Sequence, residues 1–169
     1  MVELKGDRVV LRPLQIDDVP TLVEIQAQPS VARWWDQPDE DDLRKQAARE
    51  SEETSFAITV DGAVAGLIQY VEENEPMYRH AGIDLFLAEE FQGRGFGADA
   101  VRTMTRHLVH DRGHHRLTID PSVDNHAAIR AYEKVGFRPV GVMRRYERGP
   151  DGTWHDCLLM DLLADELVR

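Results

Sequence analysis

The amino-acid sequence predicts a single α/β (α+β) domain over residues 1–169, with a mixed central sheet of about seven strands and about four flanking helices. Three observations support this. The chain has 169 residues, 42% of them hydrophobic, which is enough for one core that buries roughly 70% of the unfolded-chain surface. It contains no internal repeat, low-complexity tract or Gly/Ser-rich linker. Strand-like and helix-like segments follow the order β-α-α-β-β-β-α-β-α-β-β.

The N-terminal half is predicted to form one strand, two helices and then three strands. The first strand covers 9–13, and a helix begins at 17–20, where two aspartates suit the positive end of the helix dipole and Pro20 suits the first turn. A short region carrying Trp34-Trp35 precedes a second helix, which is expected from Pro38 to about Glu52. Three strands are then expected over 54–60, 64–71 and 81–87, with an Asp61-Gly62 hairpin turn between the first two.

The C-terminal half is predicted to alternate helix and strand before two closing strands. Apolar residues recur at helical spacing from Ala100 to Leu108, and Gly113 ends that helix. A strand over 117–120 precedes Pro121, which keeps the residue before it extended. A helix capped by Asp124 or Asn125 then ends at Gly136, and strands follow over 138–147 and 153–163.

The net charge of −11 comes from the N-terminal half. Residues 1–90 contain 20 acidic and 8 basic side chains, whereas residues 91–169 contain 11 and 12. Nucleic acid is not expected as a partner, because an acidic chain repels phosphate. The charges favour a cationic substrate near the first half and an anionic one near the second, although solvated helix faces would explain the acidic runs equally well.

Membrane contact and disulfides are not expected either. No apolar run approaches the roughly 20 residues of a membrane-spanning helix, and the first residues lack the apolar segment of a secretion signal. Cys157 is the only cysteine, in keeping with a reducing compartment. The sequence therefore predicts a cytoplasmic protein, with monomer and homodimer both open.

A glycine-rich loop lies between the third of the three consecutive strands and the next helix. Gly93, Gly95 and Gly97 would expose backbone N–H groups at the positive end of that helix, and Arg94 adds a cation. These features predict a pyrophosphate site. More commonly, a glycine-rich turn of this kind only joins a strand to a helix. Its spacing matches neither the dinucleotide fingerprint nor the P-loop.

Two segments resemble signatures of the GNAT superfamily of N-acetyltransferases. Gln92-Gly93-Arg94-Gly95-Phe96-Gly97 is similar to its Gln/Arg-x-x-Gly-x-Gly/Ala acetyl-CoA motif, and residues 125–137 are similar to its second signature. The predicted element order also resembles the superfamily fold over essentially the whole chain. The resemblance implies acetyl-CoA as co-substrate, held in a splay between the central strands that end near Leu87 and Asp120. No metal is expected, since the histidines at 107, 110, 114 and 115 lack a matching carboxylate pattern.

The resemblance also implies which residues hold acetyl-CoA. Residues 85–87 would lend backbone groups to the pantetheine arm, and the amides of 94–98 would bind the pyrophosphate. The expected coenzyme contacts are Leu85, Phe86, Leu87, Gln92, Gly93, Arg94, Gly95, Phe96, Gly97, Ala98, Asn125, Ala128, Tyr132 and Lys134.

Three residues are expected to carry the chemistry: Tyr132, Asp84 and Asp120. Tyr132 matches the superfamily's usual acid position, where its phenol would reach the thioester sulfur; by periodicity alone, core packing is the alternative. Asp84 and Asp120 end the strands that would straddle the thioester, where paired carboxylates could hold an ammonium and take its proton. Alternatively, Asp84 is an outward-facing strand residue and Asp120 is a turn residue. Aspartate is disfavoured inside strands, which argues against the first of these.

Shorter segments resemble the aminoglycoside 6'-N-acetyltransferases, which implies acetylation of the 6'-amine of an antibiotic and hence resistance. These segments are Trp34-Trp35, Gly82-Ile83-Asp84 and 120–125. Residues 144–156 instead resemble the enzymes that acetylate protein N-termini and small amines. Aminoglycosides, N-termini and polyamines therefore stay open as acceptors, and a non-catalytic acyl-CoA-binding protein is a further alternative.

The expected acceptor contacts are Trp34, Trp35, Tyr70, Glu72, Glu73, Asp84 and Asp120. The tryptophans would form an apolar floor under a sugar ring, Gln69-Tyr70 a polar edge, and the glutamates an acidic wall. Alternatively, the tryptophans pack in the core and the glutamates lie at a solvated hairpin end. Cys157 is expected to be a buried hydrophobe rather than an acyl-carrying nucleophile, so direct transfer in a ternary complex is predicted.

Overall fold

Short β-branched runs and capped amphipathic segments give eight strands and five α-helices in residues 2–167, the part of the chain that this computed structural model describes. In chain order these are β1 (Leu4–Lys5), β2 (Val10–Pro13), α1 (Val19–Gln26), α2 (Pro29–Ala32), α3 (Glu40–Ala47), β3 (Thr54–Val60), β4 (Ala63–Glu73), β5 (His80–Leu87), α4 (Phe96–His110), β6 (Arg116–Ile119), α5 (His126–Val135), β7 (Arg138–Arg148) and β8 (Trp154–Leu163).

The strands form one open mixed sheet in the order β1-β2-β3-β4-β5-β6-β8-β7. Every neighbouring pair is antiparallel except β5 and β6. The predicted mixed sheet with flanking helices is confirmed. The two-residue strand β1 and the one-turn helix α2 were not predicted, because elements this short show no periodicity.

Alternation along β4 divides the core between the two faces of the sheet. Ile68 and Tyr70 pack in a cluster with the apolar side of α4, whose Ala100, Val101, Met104 and Leu108 are fully buried. Leu67 packs in a second cluster with Leu22 and Ile25 of α1 and Leu43 of α3. Since successive strand residues point to opposite faces, the α1–α3 face and the α4 face have separate cores.

The helix α3 ends earlier than the sequence suggested. Its last helical residue is Ala47 rather than a residue near Glu52. Arg49 has φ of +61°, a left-handed conformation that cannot continue a right-handed helix. The residues after it therefore lead directly into β3.

The strands β5 and β6 separate after a short parallel contact. They pair only at Ala81–Leu117 and Gly82–Thr118. Beyond that point β5 continues along β4 as far as Leu87, while β6 continues along β8. A gap therefore opens between the ends of the two central strands, as the predicted splay requires.

Within residues 2–167, no helix combines the length and the apolar character that crossing a bilayer would need.

Candidate active site

Two carboxylates lie at the splay. Asp84 lies in β5, two residues before Phe86. The Phe86 side chain packs in the α1–α3 core, and strand residues two apart point to the same face, so Asp84 also points to the α1–α3 face. Asp120 directly follows Ile119, which is buried on the α4 side, so Asp120 also points to the α1–α3 face. The structure thus brings together two of the three residues expected to carry the chemistry.

The environment of Asp84 favours its protonated form. The Asp84 side chain is exposed to solvent, although many protein atoms lie around it. This desolvation, with the charges of Asp120 and Glu147, raises the pKa of Asp84 to about 7, although a hydrogen bond from the Leu85 N–H at 3.0 Å opposes the shift. At neutral pH this carboxyl is therefore divided between its acid and base forms.

The phenol of Tyr132 is the third member of the group. Tyr132 is 9% exposed and its ring packs against Phe137 on the α4 side. Burial, followed by the charges of Asp84 and Asp120, raises the pKa of Tyr132 well above its usual value. The phenol therefore keeps its proton at neutral pH while its hydroxyl lies within the field of both carboxylates.

An irregularity in β7 adds two residues that the sequence did not assign to the site. The pairing of β7 with β8 shifts between Met143 and Glu147, and Arg145 has φ of +48° with its N–H donating to Asp156 Oδ1 at 2.7 Å. A bulge of this kind re-aims side chains. The resemblance of 144–156 to N-terminal acetyltransferases was the available signal, but it did not identify individual residues.

The bulge brings Tyr146 and Glu147 to Asp120. Burial raises the pKa of Asp120, and a hydrogen bond from the Tyr146 hydroxyl partly offsets it. Burial, with the charge of Asp120, also raises the pKa of Glu147. Asp84, Asp120 and Glu147 thus form one interacting set of acids at the splay.

The glycine loop has the form of an anion-binding turn. Gly95, with φ of +84°, is the N-cap of α4, a long helix whose first turn begins at Phe96. The Arg94 side chain folds back so that Nη1 donates to the Glu90 carbonyl at 3.1 Å, and Phe96 is buried at 4% exposure. Of this loop, the backbone amides and the glycines, rather than the Phe96 ring, are available to a ligand.

The other expected coenzyme residues lie on both sides of the splay. The Gln92 Nε2 donates to the Leu87 carbonyl at 2.9 Å, which ties the loop to the end of β5. On α5, the Asn125 side chain accepts from the Ala128 N–H at 3.3 Å, so the predicted cap is Asn125. Ala128 is partly buried, and Lys134 is exposed near the end of that helix.

The two tryptophans have different surroundings. Trp35 packs edge-on against Phe86 at 4.9 Å, and its Nε1 donates to the Leu85 carbonyl at 3.2 Å. Phe86 itself is 5% exposed, so only its backbone could contact a coenzyme. Trp34 stacks with Arg33, whose Cζ is 4.5 Å from the ring centre, and lines a cavity of about 320 Å³ together with Glu147.

Three of the residues expected to contact the acceptor lie away from Asp84 and Asp120. Tyr70 is 5% exposed in the α4 core, on the opposite face from Gln69 and Asp84. Glu72 accepts from Arg112 Nη2 at 2.7 Å and lies 2.6 Å from His114 Nε2. Glu73 is exposed at the end of β4. The structure therefore places an ion-paired cluster, not an acidic wall, at Glu72.

Cys157 is the remaining nucleophile near the acids. It is 1% exposed, and desolvation together with the charges of Glu147 and Asp120 raises its pKa to about 12. A thiol held in this way stays protonated and is a poor nucleophile.

Comparison with known proteins shows the family to which the chain belongs. The chain belongs to the GNAT acetyltransferase family, whose domain matches residues 8–138. It is 32% identical over 173 residues to aminoglycoside N(6')-acetyltransferase type 1 of Klebsiella pneumoniae, covering 90% of this chain and 83% of that protein. It is 29% identical over 166 residues to spermidine N(1)-acetyltransferase of Escherichia coli K12, covering 95% and 88%.

The fold also matches that of solved structures. Mycobacterium smegmatis RimJ in complex with CoA-disulfide superposes with a TM-score of 0.84 at 24% identity, over 99% of this chain and 88% of that one. The protein is therefore an N-acetyltransferase of a family that uses acetyl-CoA.

Proposed function

We propose that this protein transfers an acetyl group from acetyl-CoA to the 6'-amine of an aminoglycoside, which would confer resistance to the antibiotic. The observation that supports the proposal is the set of acids at the splay, Asp84 and Asp120 with Glu147 beside them. Carboxylates attract a polycationic substrate and repel anions. The aminoglycoside-acetylating relative at 32% identity supports this acceptor class.

The residues of this chain divide the proton transfers between them. Asp84, with a pKa of about 7, can take a proton from the acceptor ammonium at neutral pH and so produce the nucleophilic amine. Asp120 holds the charged amine before that step, and its interaction with the Tyr146 hydroxyl favours its ionised form. Acetyl-CoA supplies the activated thioester. Tyr132 keeps its proton and can deliver it to the departing thiolate.

The coenzyme would lie between the separated strands. The amides of 94–98 at the start of α4 suit the pyrophosphate, because the helix N-terminus carries partial positive charge. The backbone of β5 borders the gap where the pantetheine arm would lie. Since Cys157 is buried and protonated, we expect direct transfer in a ternary complex without an acyl-enzyme.

The experiment is a thiol-release assay with acetyl-CoA and four acceptors: kanamycin, tobramycin, spermidine and an N-terminal peptide. Selective turnover of the two aminoglycosides, with acetylation at the 6'-nitrogen by mass spectrometry and NMR, is the expected result. Failure to acetylate either aminoglycoside at any pH would overturn the proposal.

A polyamine is the second candidate acceptor. The spermidine-acetylating relative covers 95% of this chain, and the acids at the splay suit any amine that carries several positive charges. Turnover of spermidine alone would replace the aminoglycoside while leaving the roles of Asp84 and Tyr132 in place. Coenzyme binding without turnover of any amine would instead indicate a sensor.

A further inference from the structure

Four hydrogen bonds join the start of α2 to the segment that leads into the glycine loop. Gln28 Oε1 accepts from the Glu89 N–H at 2.8 Å. The Ser30 N–H and hydroxyl both donate to Glu89 Oε1, at 3.2 and 3.1 Å, and the Ser30 Oγ accepts from Gln92 Nε2 at 3.1 Å. These partners are 59–62 residues apart in the sequence. The contacts form a link between α2 and the donor side of the splay, the Ser30–Glu89 bridge.

Gln92 extends this bridge to the end of β5. Its amide nitrogen carries two hydrogens, and they are donated to the Ser30 Oγ and, at 2.9 Å, to the Leu87 carbonyl. Both side-chain donors are therefore used, which fixes the orientation of the amide. Because Gln92 directly precedes the first glycine of the loop, the bridge holds the entrance of the loop next to α2.

The segment after α2 contacts β5 as well. The Trp34 and Trp35 N–H groups both donate to the Val31 carbonyl at 3.0 Å, which joins the two tryptophans to α2. The Trp35 Nε1 donates to the Leu85 carbonyl at 3.2 Å, and Trp34 lines the cavity that Glu147 also lines. The segment that borders the acids is therefore attached to β5 both directly and through α2.

The Leu85 and Leu87 carbonyls lie on the edge of β5 that faces the gap. The Ala88 N–H donates to the Ala65 carbonyl of β4, and the backbone groups of successive strand residues alternate between the two edges of a strand. Leu85 and Leu87 therefore direct their carbonyls away from β4, towards the gap where the pantetheine arm would lie. The arm would meet the two carbonyls that the tryptophan and the glutamine already contact.

We propose that Ser30 and Glu89 are positioning residues, which hold the Trp34-Trp35 segment against the gap-facing edge of β5 and so make acceptor binding depend on the coenzyme. The inference rests on the part of the proposed function that places acetyl-CoA between the separated strands, and it applies to either candidate acceptor. A displacement of the loop entrance by the coenzyme reaches α2 through the Ser30 hydroxyl. By thermodynamic linkage, the acceptor then changes the affinity for the coenzyme by the same factor.

The first test follows tryptophan emission while CoA alone is titrated, so it needs no acceptor. Trp154→Phe removes the third tryptophan, which is 59% exposed on β8, and leaves the emission of Trp34 and Trp35. We expect CoA, at an occupancy checked by calorimetry, to shift this emission in the Trp154→Phe background. Ser30→Ala and Glu89→Ala should each lose most of the shift, whereas Ser30→Thr, which keeps the hydroxyl, should retain it. No shift with CoA, or a full shift in both alanine variants, overturns the inference.

The second test measures the coupling between the two substrates by calorimetry. The Kd values for kanamycin and for spermidine are determined without and with saturating CoA. We expect CoA to tighten binding of the preferred acceptor about tenfold in the wild type and about twofold in either alanine variant, the loss of one or two hydrogen bonds. The double variant should lose no more than either single variant, because both changes break one bridge. Ser51→Ala, which removes a hydroxyl that donates to the nearby Glu53, is the matched control.

Three outcomes of the second test overturn the inference: equal coupling in the wild type and both alanine variants, additive losses in the double variant, and a lower Tm in Ser30→Ala without a loss of coupling. The last of these would make the bridge a structural contact only. Failure of both amines to bind would reject the proposed acceptors, and the tryptophan emission would then decide the inference, because it depends on CoA alone.

Discussion

The guanidinium of Arg8 donates a hydrogen bond to the backbone carbonyl of Arg94, with 2.5 Å between Nη2 and O. The same group lies 4.5 Å from the centre of the Phe96 ring, and a side chain at Gly95 would come within 2.6 Å of it. The N-terminal segment therefore contacts the glycine loop from 86 residues away in the sequence.

Replacing Arg8 should weaken coenzyme binding without changing the acceptor site. We expect Arg8→Gln to raise the KM for acetyl-CoA about five- to tenfold, the effect of one charge-assisted hydrogen bond, with kcat and acceptor KM unchanged. Steady-state kinetics with each substrate varied in turn would show this. Lys5→Gln, an exposed charge change in β1, is the control. An unchanged KM for acetyl-CoA would show that the loop holds its shape alone.

Asp99 should be essential to the stability of the same region. Its carboxylate is 4% exposed and accepts from the backbone N–H groups of Asp7, Arg8 and Val9 at 3.0, 2.8 and 2.9 Å. We expect Asp99→Ala to cost about 3 kcal/mol because it leaves buried donors unpaired, which corresponds to a fall in Tm of roughly 6–12 °C. Asp99→Asn keeps one acceptor oxygen and should lose less. Equal Tm values for the wild type and both variants in calorimetry would contradict this.

Tyr132→Phe should separate chemistry from binding. Removing the hydroxyl removes the proton donor, so kcat should fall about 10²-fold, the lower end of general acid effects, while the buried ring keeps its packing. CoA affinity by calorimetry and the Tm should stay near the wild-type values. A variant with full turnover would assign Tyr132 to the core alone.

The activity should rise with pH through about 7. Because Asp84 accepts the proton, kcat/KM for the acceptor should follow ionisation of a group with a pKa of about 7, and Asp84→Asn should lower the rate and remove that limb. The rate should be measured from pH 5 to 9. A wild-type profile that is flat across this range would exclude Asp84 as the base.

The stability of the protein should respond to Asp84 in the opposite direction. A raised folded-state pKa means that the contribution of Asp84 is fully present below its unfolded pKa of about 3.9 and is lost as the pH rises through about 7. The Tm of Asp84→Asn relative to the wild type should therefore increase from pH 4 to 7 and stay constant above. A Tm difference independent of pH would contradict the raised pKa.

Glu72 should matter for stability rather than for the acceptor. Burial opposes its ionisation, but hydrogen bonds with Arg112 and His114 outweigh this and lower the pKa of Glu72. We expect Glu72→Gln to lose about 1–3 kcal/mol at pH 7, because it leaves His114 buried beside a weaker partner, with acceptor KM unchanged. The Tm difference should shrink as the pH falls below about 4.5, where the wild-type carboxyl also becomes protonated. A raised acceptor KM at constant Tm would restore the predicted acidic wall.

Long helices with periodic apolar residues, and the helix caps, could be predicted from local sequence. The apolar spacing of α4 and the Asn125 cap of α5 depend on residues within one or two turns, and both are confirmed. The positions of Gln69 and Tyr70 could not be predicted from local sequence. The sequence predicts that both form one polar edge, but β alternation sends them to opposite faces, and only the pairing with β5 shows which face holds Asp84.

The sequence by itself determined the family, because the two signature segments are continuous stretches of the chain. Only the tertiary structure decided which acids lie together at the splay. Tyr146 and Glu147 reach Asp120 because a bulge shifts the register of β7. Glu72 lies two residues after Tyr70, hence on the α4 face, where it pairs with Arg112 and His114, 40 and 42 residues along the chain. The charge and pKa of each acid follow from neighbours that are distant in sequence, and chain order alone does not encode that proximity.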